Sequence, residues 1–458
     1  MTVEFDSPQK TRFAAALGAG FVEALAGSCR SCTGQQRPLL TALSGGSDST
    51  ALALLTEQYA RQRNITHRTI IVDHGLRSNS GDEARRVAAR MQHFGIDAVI
   101  KSVKATAPAG GIQRWARTQR YGILTSAAHE MGAVLLLAHH KADQAETVLM
   151  RLSKSSGLAG LSGMALCRYF ANIPIIRPLL TWGPQELIAV CEHFGCAYEN
   201  DPSNHDQRFE RVRVRAELAA LGAAGQDITA GLNRLSIAAS AICREVDSVL
   251  EEKLELPEFF AEGYVIFSLL SLQRLPDMLW RRVVGGSVLA VGGGDYLPSQ
   301  VAFSRLRSRV DAGLSATLGG CLFIPNDTGA LCRVLHEPGR NPPRAEISAY
   351  TPVIFAGVWL LVSPVAGSVR MLADTPPPAQ WEALPHALRQ SFPIIETLDG
   401  RVLYPHFTGA SEAVISLDSP IATFLGLDRA NGPTGKSVKG LKVTGRGKRP
   451  LSSKKDGS

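Results

Sequence analysis

The apolar run Leu39-Leu40-Thr41-Ala42-Leu43 is short and continuous, as a strand buried on both faces requires, and Ala51, Leu54 and Leu55 then return at helical spacing. Thr69-Ile70-Ile71-Val72 repeats the strand pattern, and a helix is predicted over residues 82–94. Ala98-Val99-Ile100 predicts a third strand, residues 112–131 a third helix, and Ala133-Val134-Leu135-Leu136-Leu137-Ala138 a fourth strand. A Pro-punctuated strand over 173–180 and a helix over 184–194 follow. Strands alternating with helices predict an α/β domain with a parallel sheet, whose ligands gather at the carboxyl ends of the strands. From 217 to 309 the pattern turns helical, most clearly over 245–254 and 269–284, and from 318 to 427 short β-like runs alternate with prolines. The predicted organisation is thus an α/β domain over 1–216, a helical domain over 217–317, a small mixed accessory domain over 318–428 and a basic tail over 429–458. The apolar stretch 353–362, bracketed by Pro352 and Pro364, suits one strand or two and is too short to span a membrane as a helix.

Between the first strand and its helix lies Ser44-Gly45-Gly46-Ser47-Asp48-Ser49. The two glycines allow positive φ and close backbone approach, while Ser47, Asp48 and Ser49 bring side-chain oxygens to the start of a helix. Free amides and the helix dipole favour an anion there by roughly 0.3–1 kcal/mol when exposed and up to about 2 kcal/mol when partly buried. That is small beside the charge of a nucleotide triphosphate, so Mg²⁺ is expected to accompany it. The segment resembles the SGGxDS signature of the N-type ATP pyrophosphatases, which cleave ATP to AMP and pyrophosphate. A second glycine-rich segment, Gly432-Pro433-Thr434-Gly435-Lys436-Ser437, imitates the end of a Walker A loop. Ala430 replaces its leading glycine, and neither a preceding strand nor a following helix is in the pattern, so it reads as linker.

With 458 residues, 45% of them hydrophobic, the chain can bury a sizeable core. Its net charge of +8 is concentrated at one end. Nine Lys or Arg and one acid lie in 429–458, leaving 40 basic and 40 acidic residues in the rest, so global charge says nothing about nucleic-acid binding by the fold. The tail either adds sequence-independent phosphate affinity or serves solubility alone. Eight cysteines are scattered, and only Cys29-x-x-Cys32 has metal or redox spacing, without a second pair to complete a zinc site. Residues 13–25 follow Glu4 and Asp6 and contain Glu23, which suits an amphipathic first helix better than a signal peptide. A cytoplasmic protein without membrane attachment is expected.

The ends of the predicted strands carry the remaining chemistry. His139-His140 closes the fourth strand, and Asp143 and Glu146 follow three residues apart on one helix face. Ala145, Val148, Leu149 and Leu152 form an apolar stripe directed elsewhere, which predicts that both carboxylates point away from the core. Four signatures stand in order: Val72-Asp73-His74-Gly75-Leu76-Arg77 with Ser80 and Glu83; Ala116-Arg117 with Arg120-Tyr121; His139-His140 through Glu146-Thr147, with Arg151-Leu152 and Gly157-Leu158-Ala159-Gly160-Leu161; and Asp201-Pro202-Ser203-Asn204. Together they resemble the bacterial tRNA(Ile)-lysidine synthetases over most of residues 44–215. Beyond 217 the likeness is one of length and helical character only.

The resemblance implies ligation of free lysine to carbon two of the wobble cytidine in an isoleucine tRNA with a CAU anticodon, with ATP and Mg²⁺ consumed or required and an adenylated base as intermediate. It implies ATP contacts at Ser44, Gly45, Gly46, Ser47, Asp48, Ser49, Asp73 and His74. It places Asp48, Arg117, His139, Asp143 and Glu146 at the reaction centre, and Ser203, Asn204, Arg211 and Arg215 near substrate or RNA. A homodimer is left open. Three departures from the family pattern stand out: Ala142 replaces a first aspartate, Lys154-Ser155 replaces Arg-Gly, and Val212 replaces an asparagine. The rival readings are a tRNA cytidine sulfur transferase on the same ATP scaffold, against which Cys29 and Cys32 precede the first strand, and an RNA-binding protein that has lost catalysis.

Overall fold

The computed structural model describes residues 37–404 and the strand Val414–Leu417, apart from 78, 104–107, 109–110, 155, 171–172, 200–209, 225–226, 254–257, 261–263, 295–296, 338, 340–341, 350–352, 357–358, 374, 378, 380–381 and 383–385. Ser203, Asn204, the predicted first helix, Cys29, Cys32, the Walker-like segment and the basic tail lie outside the described residues.

The chain forms two compact units, one running to Val249 and the other lying mainly beyond Leu250. The first unit is built on β1 (Leu39–Leu43), α1 (Ser47–Arg63), β2 (His67–Asp73), α2 (Ser80–His93), β3 (Asp97–Ser102), α3 (Ile112–Met131), β4 (Val134–Leu136) and α4 (Lys141–Ser153). A short α5 (Leu158–Leu161), β5 (Cys167–Phe170), β6 (Ile173–Ile176), α6 (Pro184–His193), α7 (Glu210–Ala223) and α8 (Ile228–Lys253) follow. The sheet order is β3-β2-β1-β4-β6-β5, parallel except for the antiparallel edge strand β5. Its direction of winding reverses between β1 and β4, the crevice where open α/β sheets bind ligands.

Side chains alternate across β1 as its pleat demands. Leu39 packs with Leu52, Leu55 and Trp182 towards α1 and α6. Leu40 and Ala42 pack with Leu124, Ala127 and Ala128 of α3 on the other face. Leu43 joins Ala84, Val87 and Met91 of α2. With helices on both faces, every residue of β1 is buried, which is why its sequence is a continuous apolar run rather than an alternating one.

Three local expectations change, and one strand appears that none foresaw. The fourth strand is confined to Val134–Leu136, freeing the four residues through His140 to turn into α4. The strand expected over 173–180 ends at Ile176, and 178–181 form a turn. The edge strand β5 was not foreseen, and it is defined by pairing with β6 rather than by a period of its own. The expected 216/217 boundary falls within α7, because Val214 and Leu218 of α7 and Ile228 and Leu232 of α8 pack on Ala145 and Val148 of α4.

The second unit contains antiparallel sheets. β7 (Glu258–Phe260), β8 (Tyr264–Ser268), β9 (Ala316–Leu318), β10 (Cys321–Pro325) and β11 (Leu331–His336) form a five-stranded sheet in the order β7-β8-β11-β10-β9. β7 and β8 interrupt the stretch expected to be helical. The helix expected over 269–284 is split into α9 (Leu269–Gln273) and α10 (Asp277–Gly292), with Pro276 capping the second. A proline disfavours helical backbone at the residue before it and supplies no amide. Beyond α11 (Gln300–Asp311), the strands Arg344–Ile347, Gly367–Met371, Pro393–Thr397 and Val402–Leu403 form a four-stranded sheet, and Val353–Phe355, Trp359–Val362 and Val414–Leu417 a three-stranded one, so residues 353–362 do divide into two strands. No helix among the described residues is long and apolar enough to cross a membrane.

Candidate active site

The turn after β1 is held from behind so that its front stays open. Gly45 has φ +90°, and a Cβ there would meet Val87 Cγ2 at 2.7 Å, so glycine is required on both counts. The Gly45 carbonyl accepts from Glu199 N at 2.8 Å and Thr50 Oγ1 at 3.3 Å, and the Gly46 carbonyl accepts from Thr50 N at 3.0 Å. Ser49 Oγ accepts from Ser44 N at 3.0 Å and donates to Gly46 O at 3.2 Å. Ser47 and Asp48 bond each other rather than the backbone. As expected, Ser47, Asp48 and Ser49 bring their side-chain oxygens to the start of α1, but the N-cap itself is Gly46 and no side chain caps it. The first amides of α1 are therefore presented to an external anion.

Across the crevice, β4 delivers His139 and His140. His140 caps α4: its Nδ1 accepts from Ala142 N at 3.2 Å and Asp143 N at 3.4 Å, while Asp143 Oδ2 accepts from His140 N at 3.1 Å. Its Nε2 faces Asp48 at 3.4 Å and Asp143 at 3.6 Å. Burial works against a charged ring, but the Asp48 hydrogen bond and the charges of Asp143, Asp48 and Glu146 outweigh it and raise the His140 pKa. A proton added at Nδ1 would displace the two amide donors, so the cap opposes what the carboxylates favour.

Asp143 continues the chain of contacts to Arg215 at 3.7 Å, and Arg215 Nε donates to Glu146 Oε1 at 2.6 Å. Glu146 is buried, 1% exposed, which corrects the expectation that both carboxylates point away from the core. The reason is α7, whose Arg211 and Arg215 cover that face of α4; a helix wheel for α4 alone does not contain them. Leu152, assigned to the apolar stripe, is exposed instead. Burial raises the Glu146 pKa and the bond from Arg215 recovers only part of that, while the same pair holds the Arg215 pKa above its usual value. Glu146 Oε2 accepts no hydrogen bond from a described residue, and Arg211 Nε stands 3.6 Å away. A buried carboxylate oxygen without a donor is costly unless something else binds it.

His139 belongs to a second, cationic group. Its Nδ1 accepts from Arg177 Nε at 3.2 Å. Arg117 lies over the Tyr121 ring at 4.9 Å and Arg168 at 5.6 Å. Desolvation, then the charges of Arg177, Arg211, Arg117 and Arg120, push the His139 pKa well below its usual value. The Tyr121 pKa is lowered although burial opposes it, because Arg117, Arg168, Arg177 and Arg120 stabilise a phenolate.

Of the residues expected from the sequence, Asp48, Asp143, Glu146, Arg211 and Arg215 thus fall into one connected acidic and basic cluster with His140. Arg117 and His139 fall into the adjoining arginine group. Asp73 bonds inward, its Oδ1 accepting from Gly75 N at 3.0 Å and Ser80 Oγ at 2.7 Å, which fixes the turn after β2. His74 stands 6.5 Å from the Trp115 ring, its pKa lowered by burial and by Arg120. Three residues were missed. His140, read from the sequence only at the end of the fourth strand, faces Asp48 and Asp143. Glu199 grips the Gly45 carbonyl and pairs with Arg90 at 2.7 Å. Arg177, 4% exposed, was hidden in the run read as a strand, where a lone arginine among apolar residues was the available signal.

A sheet reversed between β1 and β4, with an open glycine turn on one side of the crevice and facing carboxylates on the other, defines an ATP-using PP-loop domain, and a model of that domain matches residues 21–221. A tRNA(Ile)-lysidine synthase from Ruegeria pomeroyi is 35% identical over 63% of this chain and 69% of its own length. One from Methylobacterium sp. strain 4-46 is 33% identical over 68% of this chain and 93% of its own. The chain belongs to the tRNA(Ile)-lysidine synthase family, whose members are ATP-using ligases. Among solved structures, the U34-tRNA thiolase of Methanococcus maripaludis is 18% identical over 54% of this chain and 82% of its own, with a TM-score of 0.43.

Proposed function

We propose that the chain joins free lysine to carbon two of the wobble cytidine in isoleucine tRNA bearing a CAU anticodon. The observation that carries this reading is the continuous cluster Asp48, His140, Asp143, Arg215 and Glu146, which sets acidic groups for an amine beside an open phosphate-binding turn. In the first step, the oxygen on carbon two of cytidine attacks the α-phosphorus of ATP and pyrophosphate leaves into the turn of Ser44 to Ser49. In the second, the ε-amine of lysine attacks carbon two and AMP departs with that oxygen. Positioning and electrostatic stabilisation supply most of the acceleration. Reaching the base requires unstacking it, which a single-stranded anticodon loop makes least costly.

Mg²⁺ fits the donor set at the turn. Asp48 is partly exposed at the helix N-terminus, and this ion is ordinarily held by one or two carboxylates together with substrate phosphates rather than by an all-protein cage. When bound, it neutralises charge on the phosphates. Lysine must lose a proton before it attacks. Asp143 and the donor-free oxygen of Glu146 suit its ammonium group, and the raised pKa of Glu146 suits it to accept that proton. Arg117 and neutral His139 face the phosphoryl group. Selection of the tRNA is assigned to Ser203, Asn204, Arg211, Arg215 and the chain beyond 217. The reading needs no second copy of the chain.

The test is incorporation of radiolabelled lysine, with release of pyrophosphate, into isoleucine tRNA with the CAU anticodon in the presence of ATP. Equal incorporation into methionine tRNA overturns the assigned specificity. Thiolation of cytidine without a lysine requirement overturns the reaction in favour of sulfur transfer.

A further inference from the structure

The arginine group around His139 contains one side chain whose geometry serves the histidine itself. Arg177 leaves the end of β6 and is buried; its Nη1 donates to Ala165 O at 2.8 Å and its backbone amide to Leu166 O at 2.8 Å. The neighbouring strands are tied at this level by Leu137 N donating to Ile176 O at 2.9 Å. The Nη1 bond to Ala165 O and a side-chain hydrogen bond with Tyr121 hold the guanidinium, and its Nε–H points at His139 Nδ1 at 3.2 Å. A guanidinium has donors and no acceptor, so Nδ1 must present its lone pair, and the ring proton of a neutral His139 must sit on Nε2.

We infer that Arg177 is a positioning residue for the ligation: it holds His139 in the neutral Nε2–H tautomer, so that the imidazole meets the reacting phosphoryl group as a hydrogen-bond donor of fixed orientation. The inference rests on the reading of His139 given above. Its surroundings act in the same direction. Arg211 of α7 and Arg117 and Arg120 of α3 add positive charge near the ring, and Tyr121 sits among the same guanidinium groups. The α4 carboxylates Asp143 and Glu146 are engaged with His140, Arg211 and Arg215. Arg177 itself, lowered by burial and by Arg168 to a pKa of about 10, remains charged at neutral pH. An imidazolium at this position would require Nδ1 to carry a proton against the Arg177 donor.

The test uses the full chain labelled with ¹⁵N-histidine, with the His139 signal identified by its loss in His139→Gln. In the wild type, His139 is expected to show one acceptor nitrogen, Nδ1, and no titration near the ordinary histidine midpoint of about 6.5. Arg177→Met is expected to give mixed tautomers and to raise the His139 midpoint, with burial and the remaining arginines still holding it below the ordinary value. It should also lower kcat for lysine incorporation by on the order of 10²-fold with KM for ATP little changed, and add an acid limb to the pH profile. Arg177→Lys keeps the cation without the fixed Nε–H, so kcat should fall without that limb. The inference is overturned if wild-type His139 titrates near 6.5 or carries its proton on Nδ1, or if Arg177→Met retains the wild-type kcat and pH profile. Should Arg177→Met not fold, the wild-type titration and Arg177→Lys still decide it. The NMR result stands whether or not lysine is the substrate, whereas failure of wild-type incorporation overturns the function and leaves the tautomer assignment in place.

Discussion

Two polar networks share the helix α1, and they are finished differently. In one, Thr41 Oγ1 lies 3.0 Å from His67 Nε2, His67 Nδ1 lies 2.9 Å from Glu57 Oε2, Arg61 Nε donates to Glu57 Oε1 at 2.6 Å, and Arg61 Nη2 donates to Phe94 O at 2.7 Å. That chain is satisfied when Thr41 donates to Nε2 and Nδ1 donates to Glu57, and it ends on a backbone carbonyl. In the other, Asp48, His140, Asp143, Arg215 and Glu146 are linked by contacts of 2.6–3.7 Å, yet a buried Glu146 oxygen has no donor and the first amides of α1 have no cap. A closed network rigidifies a fold, whereas an open one in a crevice reserves its groups for a ligand. A Thr-His-Glu chain resembles a nucleophilic triad on paper, but Thr41 is fully buried in the middle of β1, where no substrate can reach.

The contrast is broken if the two networks respond alike to substitution. The largest effect is expected at Asp48→Ala, which should reduce tRNA-dependent pyrophosphate release below detection while leaving the thermal midpoint nearly unchanged; a variant that turned over normally would show that the turn has been misassigned. Next comes Glu146→Gln, which keeps the side chain's shape and removes its proton-accepting oxygen. Lysine transfer should fall by about 10²–10⁴-fold while tRNA-dependent pyrophosphate release stays near the wild-type rate. Glu57→Gln should do the reverse, lowering stability by about 1 kcal/mol in denaturant unfolding and leaving turnover of the native enzyme alone.

That stability difference has a definite pH dependence. The hydrogen bond from His67, opposed by burial and aided by Arg61, holds the Glu57 pKa below its usual value. The folded pKa lies below the unfolded one of about 4.3, so the contribution is present in full above that value and is lost as pH falls through the folded pKa. A wild-type minus Glu57→Gln difference that grew on acidification would contradict the closed-network reading. The smallest effect is expected at Asp97→Asn. Its pair with Arg68 spans 2.6 Å but is half exposed on both sides, and unfolding should shift by no more than about 0.5 kcal/mol.

The legible parts of the molecule were those written in short stretches of chain. The strand before Ser44, the helix after it and the order of α/β elements follow from periodicities that local sterics and burial impose. The helix over 112–131 and the paired strands within 353–362 were legible for the same reason. The gathering of the candidate residues at strand ends was legible because a parallel sheet brings carboxyl ends together whatever the loops contain. The burial of Glu146 was not, since it depends on Arg211 and Arg215, which lie 65 and 69 residues along the chain and arrive on another helix. Nor were the grip of Glu199 on Gly45, the tautomer that Arg177 imposes on His139, or the edge strand β5, all of which are contacts between segments with no pattern in common.

By itself the sequence determined an α/β domain with a parallel sheet, a phosphate-binding turn at its first strand and the resemblance that identified the family, because hydrophobic period, glycine placement and motif order are properties of neighbouring residues. Only the tertiary structure decided which carboxylate is buried, which histidine faces acids and which faces arginines, and which groups remain open for a ligand. The physical reason is that burial, desolvation and hydrogen-bond satisfaction are properties of the space around a side chain, and that space is filled by residues far away in the chain.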